Sequence, residues 1–488
     1  MRRMILIGWA ALVAALPAGA ELDTAWTRTF GGTSNDGFRA LAMTDDGGYL
    51  LAGYTYSLGS GDVDMWAVRT DGDGTTIWER TFGGAGRDYA FGACATTDGG
   101  FAIVGYTTSR GAGGSDVFLV RIDGAGDTLW TRTYGGSAAD DGRSVCEAPD
   151  GSLIVAGQTE SYGAGQADFY ILRVDTAGDT IWTRTHGDSL LDFARGICMT
   201  PDGNVGVAGS ILYNSGNLDL YLAEWDMNGD VVWSILFADT GPINFEWATS
   251  VHADPDSGLV ILGYRGLEGT DVSDICIGKA SDTGQSVFWR RYADDYYVYG
   301  DAFCPTYDGG YLICGADKSV ATQRNDLLLI KRMPGSGWVD EQTLGGPGSD
   351  WASAIAETRP GVYVVAGHTD SYGAGGLDGW LVLFRDPEVF VPSGGPDGRL
   401  HLSPPAPSPA SSSLCFSVTL PEAGFVDVRV VNVAGRLVRT LSAGETIVGT
   451  RRYEWDGRDE RGEEVPSGVY FVVAGGPVRE MRRAVVVR

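Results

Sequence analysis

The sequence predicts an all-β protein: a seven-bladed β-propeller closed by its N-terminal strand, followed by a C-terminal Ig-like β-sandwich. Three markers recur with a period of about 52 residues: a tryptophan, a glycine that ends an apolar run, and an aspartate that opens the next apolar run. The glycine copies are Gly53, Gly105, Gly157, Gly209, Gly263, Gly315 and Gly367. Seven copies of each marker, with four short strand patterns per unit, indicate seven propeller blades.

The second unit shows how each blade is built. Phe91–Thr96 has the pattern of a first strand, and the apolar run Phe101–Gly105 predicts a second strand covered on both faces. Val117–Ile122 and Thr128–Tyr134 follow as third and fourth strands. Turn-forming Asp and Gly residues separate these runs, and the turn at Asp123–Gly126 is typical of a hairpin.

The two ends of the array predict how it closes. The array starts with a fourth-strand pattern, Asp23–Phe30, and stops after a third strand, Leu377–Arg385. We therefore expect the first strand to fill the outer edge of the last blade, which leaves no exposed edge at the junction. A solenoid is the alternative architecture, but it would need polar capping repeats.

The charge is distributed unevenly. The formal net charge is −27, yet the segment after Leu400 contains 11 Arg against 10 Asp and Glu. The acidity therefore belongs to the repeat region, where it argues against nucleic-acid binding because phosphate backbones would be repelled.

The first 20 residues predict a signal peptide. Arg2 and Arg3 precede an apolar run from Ile5 to Leu16, and Ala18–Ala20 supplies a small-x-small cleavage pattern. No later run reaches the roughly 18 apolar residues of a membrane helix. We expect a mature chain that starts near Glu21, has no transmembrane segment, and is secreted or held on the outer surface of a bacterium.

An acidic residue recurs ten positions before the turn that follows each first strand. The copies are Asp36, Asp88, Asp140, Asp192, Glu246 and Asp350, while the sixth unit has Val298 at this position, with Asp301 close by. They could form a ring that attracts cations, or each carboxylate could accept backbone N–H groups within its own loop. We favour the second interpretation, because a residue that stabilises its own repeat unit is expected to recur from unit to unit. The same interpretation applies to the aspartate marker that starts with Asp64 and is present in all seven units.

Four cysteines share one repeat position. They are Cys94, Cys146, Cys198 and Cys304. Blades pack about 10 Å apart, too far for a disulfide, so we expect small buried side chains rather than bridges. The four histidines are scattered without metal-ligand spacing, so we predict no metal and no cofactor.

Two units depart from the repeat and suggest a binding face. Unit five lacks the Gly-Gly link and has Ala238–Trp247 there, with Phe245 and Trp247, and unit six has Asp294–Tyr299, with Tyr296, Tyr297 and Tyr299. We expect both stretches to be loops of the same type. Exposed aromatics on these loops would suit stacking on a glycan or docking an extracellular protein. Equally, the rings could only fill the space left by the lost glycines.

The chain beyond the repeats divides into a linker and a small domain. Residues 21–386 form the predicted propeller, and residues 387–413 are rich in Pro and Ser, which predicts an extended linker. Residues 414–488 carry six or seven short strand patterns, as expected for an Ig-like sandwich.

The C-terminal motifs carry a family resemblance. Phe425–Arg429, Gly435–Arg439, Trp455–Asp459 and Pro466–Tyr470 together resemble the Ig-like domain of flagellar hook-capping proteins and the related C-terminal sorting domains of type IX secretion cargo. The resemblance implies a domain that addresses the chain to outer-membrane secretion machinery, with release or surface attachment. The repeats themselves resemble those of secreted bacterial β-propeller proteins.

These features predict a non-enzymatic binding or adhesion protein. A propeller hydrolase or lyase acting on polysaccharide is one alternative, and a structural cell-surface component is another. The sequence contains neither G-x-S-x-G nor H-E-x-x-H, and nearly all of its acids occupy repeat positions. We therefore predict no catalytic residues.

Overall fold

The computed structural model describes most of the chain as β-strands connected by turns. The described residues are 22–212, 216–238, 244–254, 258–267, 273–292, 297–306, 309–318, 324–332, 338–386, 401–402, 413–432, 436–475 and 479–486. The predicted signal peptide, residues 1–20, lies outside them. Within these ranges no helix has the length and apolar character that crossing a membrane requires.

The repeat region starts with β1 (Asp23–Phe30) and continues with three separate four-stranded antiparallel sheets, each paired in chain order. The first sheet contains β2 (Asp36–Met43), β3 (Tyr49–Thr55), β4 (Asp64–Thr70) and β5 (Thr76–Phe82). The second contains β6 (Asp88–Ala95), β7 (Phe101–Thr107), β8 (Asp116–Ile122) and β9 (Thr128–Tyr134). The third contains β10 (Asp140–Glu147), β11 (Leu153–Thr159), β12 (Asp168–Val174) and β13 (Thr180–His186).

Three further four-stranded sets are linked into one twelve-stranded sheet by two single-residue parallel pairs, Leu218 with Phe245 and Ser273 with Tyr297. The first set is β14 (Asp192–Met199), β15 (Val205–Leu212), β16 (Leu218–Trp225) and β17 (Val231–Phe237). The second is β18 (Asn244–Ala253), β19 (Leu259–Leu267), β20 (Ser273–Ala280) and β21 (Ser286–Tyr292). The third is β22 (Tyr297–Pro305), β23 (Tyr311–Lys318), β24 (Asn325–Arg332) and β25 (Trp338–Leu344).

The last sheet of the repeat region combines both ends of the array. β26 (Asp350–Arg359), β27 (Val362–Thr369) and β28 (Asp378–Arg385) pair in order, and β1 pairs antiparallel with β28. The register runs from Asp23 opposite Arg385 to Phe30 opposite Gly379. The prediction that the first strand occupies the outer edge of the last unit is confirmed.

Burial decreases from the middle strands to the fourth strand of each sheet. Every residue of β3 and β4 is buried, whereas β9 is exposed or half-buried along its length. This follows from the sequence, because the second and third strands are almost continuously apolar and the fourth strand alternates Thr and Arg with aromatic residues. Burying each Val, Leu or Ile in the middle strands stabilises the fold by roughly 1.5–3 kcal/mol.

The tryptophan marker connects consecutive sheets. Trp78 donates a hydrogen bond from Nε1 to the carbonyl oxygen of Gly124 in the next sheet, at 3.1 Å. The ring lies against Gly126, where a Cβ atom would come within 2.9 Å of it. Gly126 has a φ of 81°, so both the turn and the packing require glycine. Trp26 of β1 lies against Gly74 of the first sheet in the same way.

The C-terminal part forms a five-stranded sheet. Its strands are β29 (His401–Leu402), β30 (Leu414–Asn432), β31 (Leu437–Trp455), β32 (Gly468–Gly475) and β33 (Arg479–Val486), and β30 pairs with β29, β31 and β32. β30 and β31 are each longer than the short strands predicted for this region, and their pairing continues through several register shifts. The predicted linker also contributes the pair of residues in β29, while residues 387–400 and 403–412 lie outside the described residues.

Trp455 organises the core of this sheet. Its side chain is fully buried, contacts the Tyr470 ring edge-on at 5.3 Å, and donates from Nε1 to the carbonyl oxygen of Arg458 at 2.9 Å. The Tyr470 hydroxyl donates to the carbonyl oxygen of Pro466 at 2.9 Å. The residues that carry the family resemblance are thus structural residues of this domain.

Candidate functional site

The first strands of the seven repeat units line one cavity of about 340 Å³. Each of these strands contributes the residue at the same repeat position, and β18 contributes Ala248 as well. The seven equivalent residues are Arg39, Phe91, Arg143, Arg195, Thr249, Asp301 and Ser353. A cavity of this volume is within the range of small-ligand sites.

A β-bulge directs each of these side chains into the cavity. In the pairing of β6 with β7, Ala90 lies opposite Gly105 and Gly92 lies opposite Val104, so Phe91 is left without a partner. The same register shift skips the lining residue in all seven first strands. A bulge turns the extra residue away from the regular alternation of the strand, and bulges often lie beside functional sites.

The glycine marker makes this bulge possible. A Cβ atom at Gly105 would overlap the carbonyl oxygen of Tyr89 and lie 2.9 Å from the Cα of Ala90. Gly53, Gly157, Gly315 and Gly367 face the equivalent carbonyl oxygens of their own first strands just as closely. The repeat therefore keeps glycine in the second strand, where its backbone closely approaches that of the first strand. This close approach accompanies the bulge that directs the lining residue of the first strand into the cavity.

Charged groups dominate the cavity wall. Arg143 forms a bidentate ion pair with Asp141, with Nε and Nη2 at 2.9 and 2.7 Å from its carboxylate oxygens, and its guanidinium lies 4.1 Å from the centre of the Phe91 ring. Asp301 accepts a hydrogen bond from the indole nitrogen of Trp351. The Nε of Arg195 and the Oγ of Ser353 are buried and have no hydrogen-bond partner among the described residues.

The electrostatic environment shifts the pKa of three groups here. Burial, with repulsion from Arg143, lowers the pKa of Arg195 to about 10. Burial raises the pKa of Asp301, although the Trp351 hydrogen bond and the charges of Arg39 and Arg195 oppose that shift. Burial and the nearby charge of Arg39 lower the pKa of His368 to about 3. The cationic groups thus lie in a poorly solvated region, where a bound anion would favour their charged forms.

Aromatic side chains lie beside the cavity: some contact its lining residues, and the others contact those rings or one another. We call this group the aromatic collar; it consists of Tyr54, Tyr89, Tyr106, Phe193, Trp247, Tyr264, Tyr299 and Trp351. Tyr89 stacks on Tyr106 at 5.3 Å and on the lining residue Phe91 at 6.3 Å. Most of the collar rings are half-buried, so they retain surface that a ligand could contact.

The structure corrects the location of the aromatics that the sequence singled out. Phe245 and Trp247 belong to β18, and Tyr299 belongs to β22, rather than to exposed loops. All three are half-buried, because Trp247 stacks on Phe193 at 5.1 Å and Tyr299 lies edge-on to Tyr264 at 5.3 Å. Tyr296 and the side chain of Tyr297 lie outside the described residues. The ligand-binding role of these residues stays a prediction.

The aspartates of the acidic series accept hydrogen bonds from their own loops, as the favoured interpretation predicts. Asp36 is fully buried and accepts hydrogen bonds from the Gly32 amide at 2.7 Å and the Ser57 hydroxyl at 2.6 Å. Asp64 likewise accepts from the amides of Ser60 and Gly61. Within the described residues, no group of three or more His, Cys, Asp or Glu side chains could hold a metal ion.

The cysteines form no bridges, as predicted, but of the four at the shared repeat position only Cys304 is buried and the other three are half-buried. All seven are free thiols, and burial raises the pKa of both Cys94 and Cys198 to about 12. These thiols therefore stay protonated at neutral pH and fill space between the sheets.

Sequence reasoning missed the arginine cluster. Its signal is a position that varies in an otherwise regular repeat: three residues after the acidic position, the units carry Arg, Phe, Arg, Arg, Thr, Asp and Ser. Variation at a position whose backbone is constant indicates a side chain that does not stabilise the repeat itself.

Comparison with known proteins gives one family match and several distant likenesses. Residues 410–476 match the family model of the FlgD Ig-like domain. The chain is 26% identical over 223 residues to "Regulatory protein FlaEY" of Caulobacter vibrioides. The matched segment covers 39% of this chain and 23% of that protein. This chain therefore spans about a quarter of the length of that relative.

Among solved structures, a fungal alcohol oxidase of the AA5 family, in complex with copper, has a TM-score of 0.53 at 15% identity, covering 96% of this chain and 99% of that one. The Pan2 WD40 domain of Neurospora crassa has a TM-score of 0.43 at 10% identity, covering 72% of this chain and 89% of that domain. At these identities the likeness concerns the fold alone. The all-β prediction and the Ig-like assignment of the C-terminal segment are confirmed.

Proposed function

We propose that this protein is a secreted or surface-attached binding protein, in which a seven-bladed propeller holds a glycan or protein ligand at its centre. The observation that carries the proposal is the cavity to which all seven repeat units contribute one bulged side chain, surrounded by the aromatic collar. Conserving the backbone while varying the seven side chains is the arrangement expected of a scaffold that presents a recognition surface.

Contacts between the first and last units support a closed ring. The amide of Asp36 donates to the carbonyl oxygen of Leu377 at 2.6 Å. Phe38 and Trp66 of the first sheet share a hydrophobic cluster with Val364 and Leu381 of the last sheet. Together with the β1–β28 pairing, these contacts support an array whose first and last units adjoin.

The proposed activity is binding without turnover. The cavity wall offers cationic groups, hydroxyls and aromatic surface, and its one acid, Asp301, is held by Trp351 and by the charges of two arginines. We infer that such a wall recognises a ligand rather than transferring protons.

A glycan array screened with the purified full chain, followed by a turnover assay on each hit, tests this function. We expect retention of at least one glycan class without product formation, and weakening by roughly tenfold or more when Trp247 is replaced by Leu. Tyr162→Leu is the control, because Tyr162 is exposed and lies outside the collar. Product release from a retained glycan, or equal retention by the Trp247 variant, would contradict the proposal.

We further propose that the C-terminal domain directs secretion or anchoring, which its match to the FlgD Ig-like domain supports. A chain that ends after Asp386 should remain inside the outer membrane of its host. Equal export of the full and shortened chains would refute this role.

A further inference from the structure

The cavity carries positive charge inside an acidic protein. Its wall contains three arginines and one aspartate, and Asp141 pairs with one of the arginines. Among the described residues of the site, counting Arg39, Arg143 and Arg195 against Asp301 and Asp141 leaves one positive charge in excess. The whole chain has a net charge of −27, so this excess is a local feature and not a reflection of composition.

Hydrogen-bond donors at the site lack partners. The Nε of Arg195 and the hydroxyl of Ser353 are buried, and neither contacts an acceptor among the described residues. Arg143, by contrast, is already engaged by Asp141. Buried donors are seldom left unpaired in folded proteins, and a buried unpaired N–H is more costly when it belongs to a charged group such as the half-buried Arg195. Among its described residues, the site therefore lacks a hydrogen-bond acceptor for the Nε of Arg195.

We propose that the cavity binds the carboxylate of an acidic sugar, with Arg195 as the residue that contacts it. This inference rests on the proposed binding function and specifies its ligand. A carboxylate carries the single negative charge that neutralises the excess, and its two oxygens match the planar fork of a guanidinium. Phe193 beside Arg195 is buried, but Trp247, which stacks on Phe193 at 5.1 Å, is half-buried and retains apolar surface on which a sugar ring can stack.

Charge also selects the size and type of the ligand. A phosphate monoester brings close to two negative charges, which exceeds the single charge available. A long polyanion would be repelled by the chain as a whole, whose net charge is −27. We therefore expect one acidic unit, or the acidic end of a short oligosaccharide.

Calorimetric titration of the full chain with glucuronate, glucose and inorganic phosphate tests the inference. We expect glucuronate to bind more tightly than either glucose or phosphate, by about tenfold or more. Arg195→Gln should weaken glucuronate by about 10- to 100-fold, the usual loss of a hydrogen bond to a charged group, and leave glucose unchanged. Arg132→Gln is the matched control, because Arg132 lies on the outer strand β9 and bonds a turn carbonyl at 3.1 Å. Thermal unfolding verifies that both variants fold.

The outcomes separate the two proposals. Equal binding of glucose and glucuronate, or an Arg195→Gln variant with full glucuronate affinity, would overturn the anion inference while the binding function stands. Tighter binding of phosphate, or of a glutamate-rich peptide, would also overturn it and assign another ligand class. If the glycan array and all of these probes show no binding, the proposed function fails as well.

Discussion

Replacing Gly105 by Ala tests whether the close backbone approach builds the cavity. The new Cβ would overlap the Tyr89 carbonyl oxygen and lie 2.9 Å from the Cα of Ala90, so the clash is with backbone rather than with a movable side chain. Overpacking in a core costs about 1–3 kcal/mol, and we expect the upper end because the strand pairing must open. For a repeat region of this size, about 3 kcal/mol lowers the thermal midpoint by roughly 4 °C.

Gly266→Ala is the matched control for this substitution. Gly266 lies in β19, the equivalent strand of another unit, and a Cβ atom there meets nothing within 4 Å. We expect its midpoint to stay within about 1 °C of the natural protein, or to rise slightly, since alanine restricts the unfolded chain. Scanning calorimetry of the full chain measures both variants. Equal midpoints for Gly105→Ala and Gly266→Ala would refute the argument that this glycine is kept for backbone approach.

Three further predictions concern other parts of the molecule. Deleting Asp23–Phe30 should expose the edge of β28 and cause aggregation in light scattering; a monomeric deletion variant with an unchanged midpoint would argue against ring closure. Trp455→Ala should destabilise the C-terminal domain by about 3–5 kcal/mol in denaturant unfolding, and a loss below about 1 kcal/mol would contradict its central place in that core. His368 has a folded-state pKa of about 3, below the value of 6.5 for a free side chain, so its contribution to stability is complete above pH 6.5 and is lost as the pH falls towards 3. NMR should show its ring neutral at pH 5, whereas protonation near pH 6.5 would mean that it is solvated.

The sequence predicts the strand order because each strand type has its own signature. The middle strands β3 and β4 are almost continuously apolar, and Asp23–Phe30 resembles a fourth strand that has no preceding blade, so its pairing with β28 could be predicted. The glycine marker was recognised as a period but not as the cause of a bulge. Its role depends on where the opposite carbonyl lies, which only the paired strands reveal.

The candidate site was less accessible to sequence reasoning. Because the Gly-Gly link is lost near Trp247 and Tyr299, the sequence there predicts loops. In the structure Trp247 pairs with Tyr264 and Tyr299 pairs with Ala316, so both residues lie in strands. Arg39, Arg143 and Arg195 are far apart in the chain, and nothing in one unit indicates that another unit aims its side chain at the same cavity. A site to which each repeat unit contributes one residue can be recognised only after the units are arranged in space.

An NMR titration of the Arg195 Nε–H resonance with glucuronate tests the central claim most directly. If the bulged residues form an anion-binding site, this resonance should shift and saturate with glucuronate, and the Arg132 resonance should stay in place. An Arg195 resonance that is unmoved at saturating glucuronate, while the collar rings respond, would show that the cavity arginines do not contact the ligand.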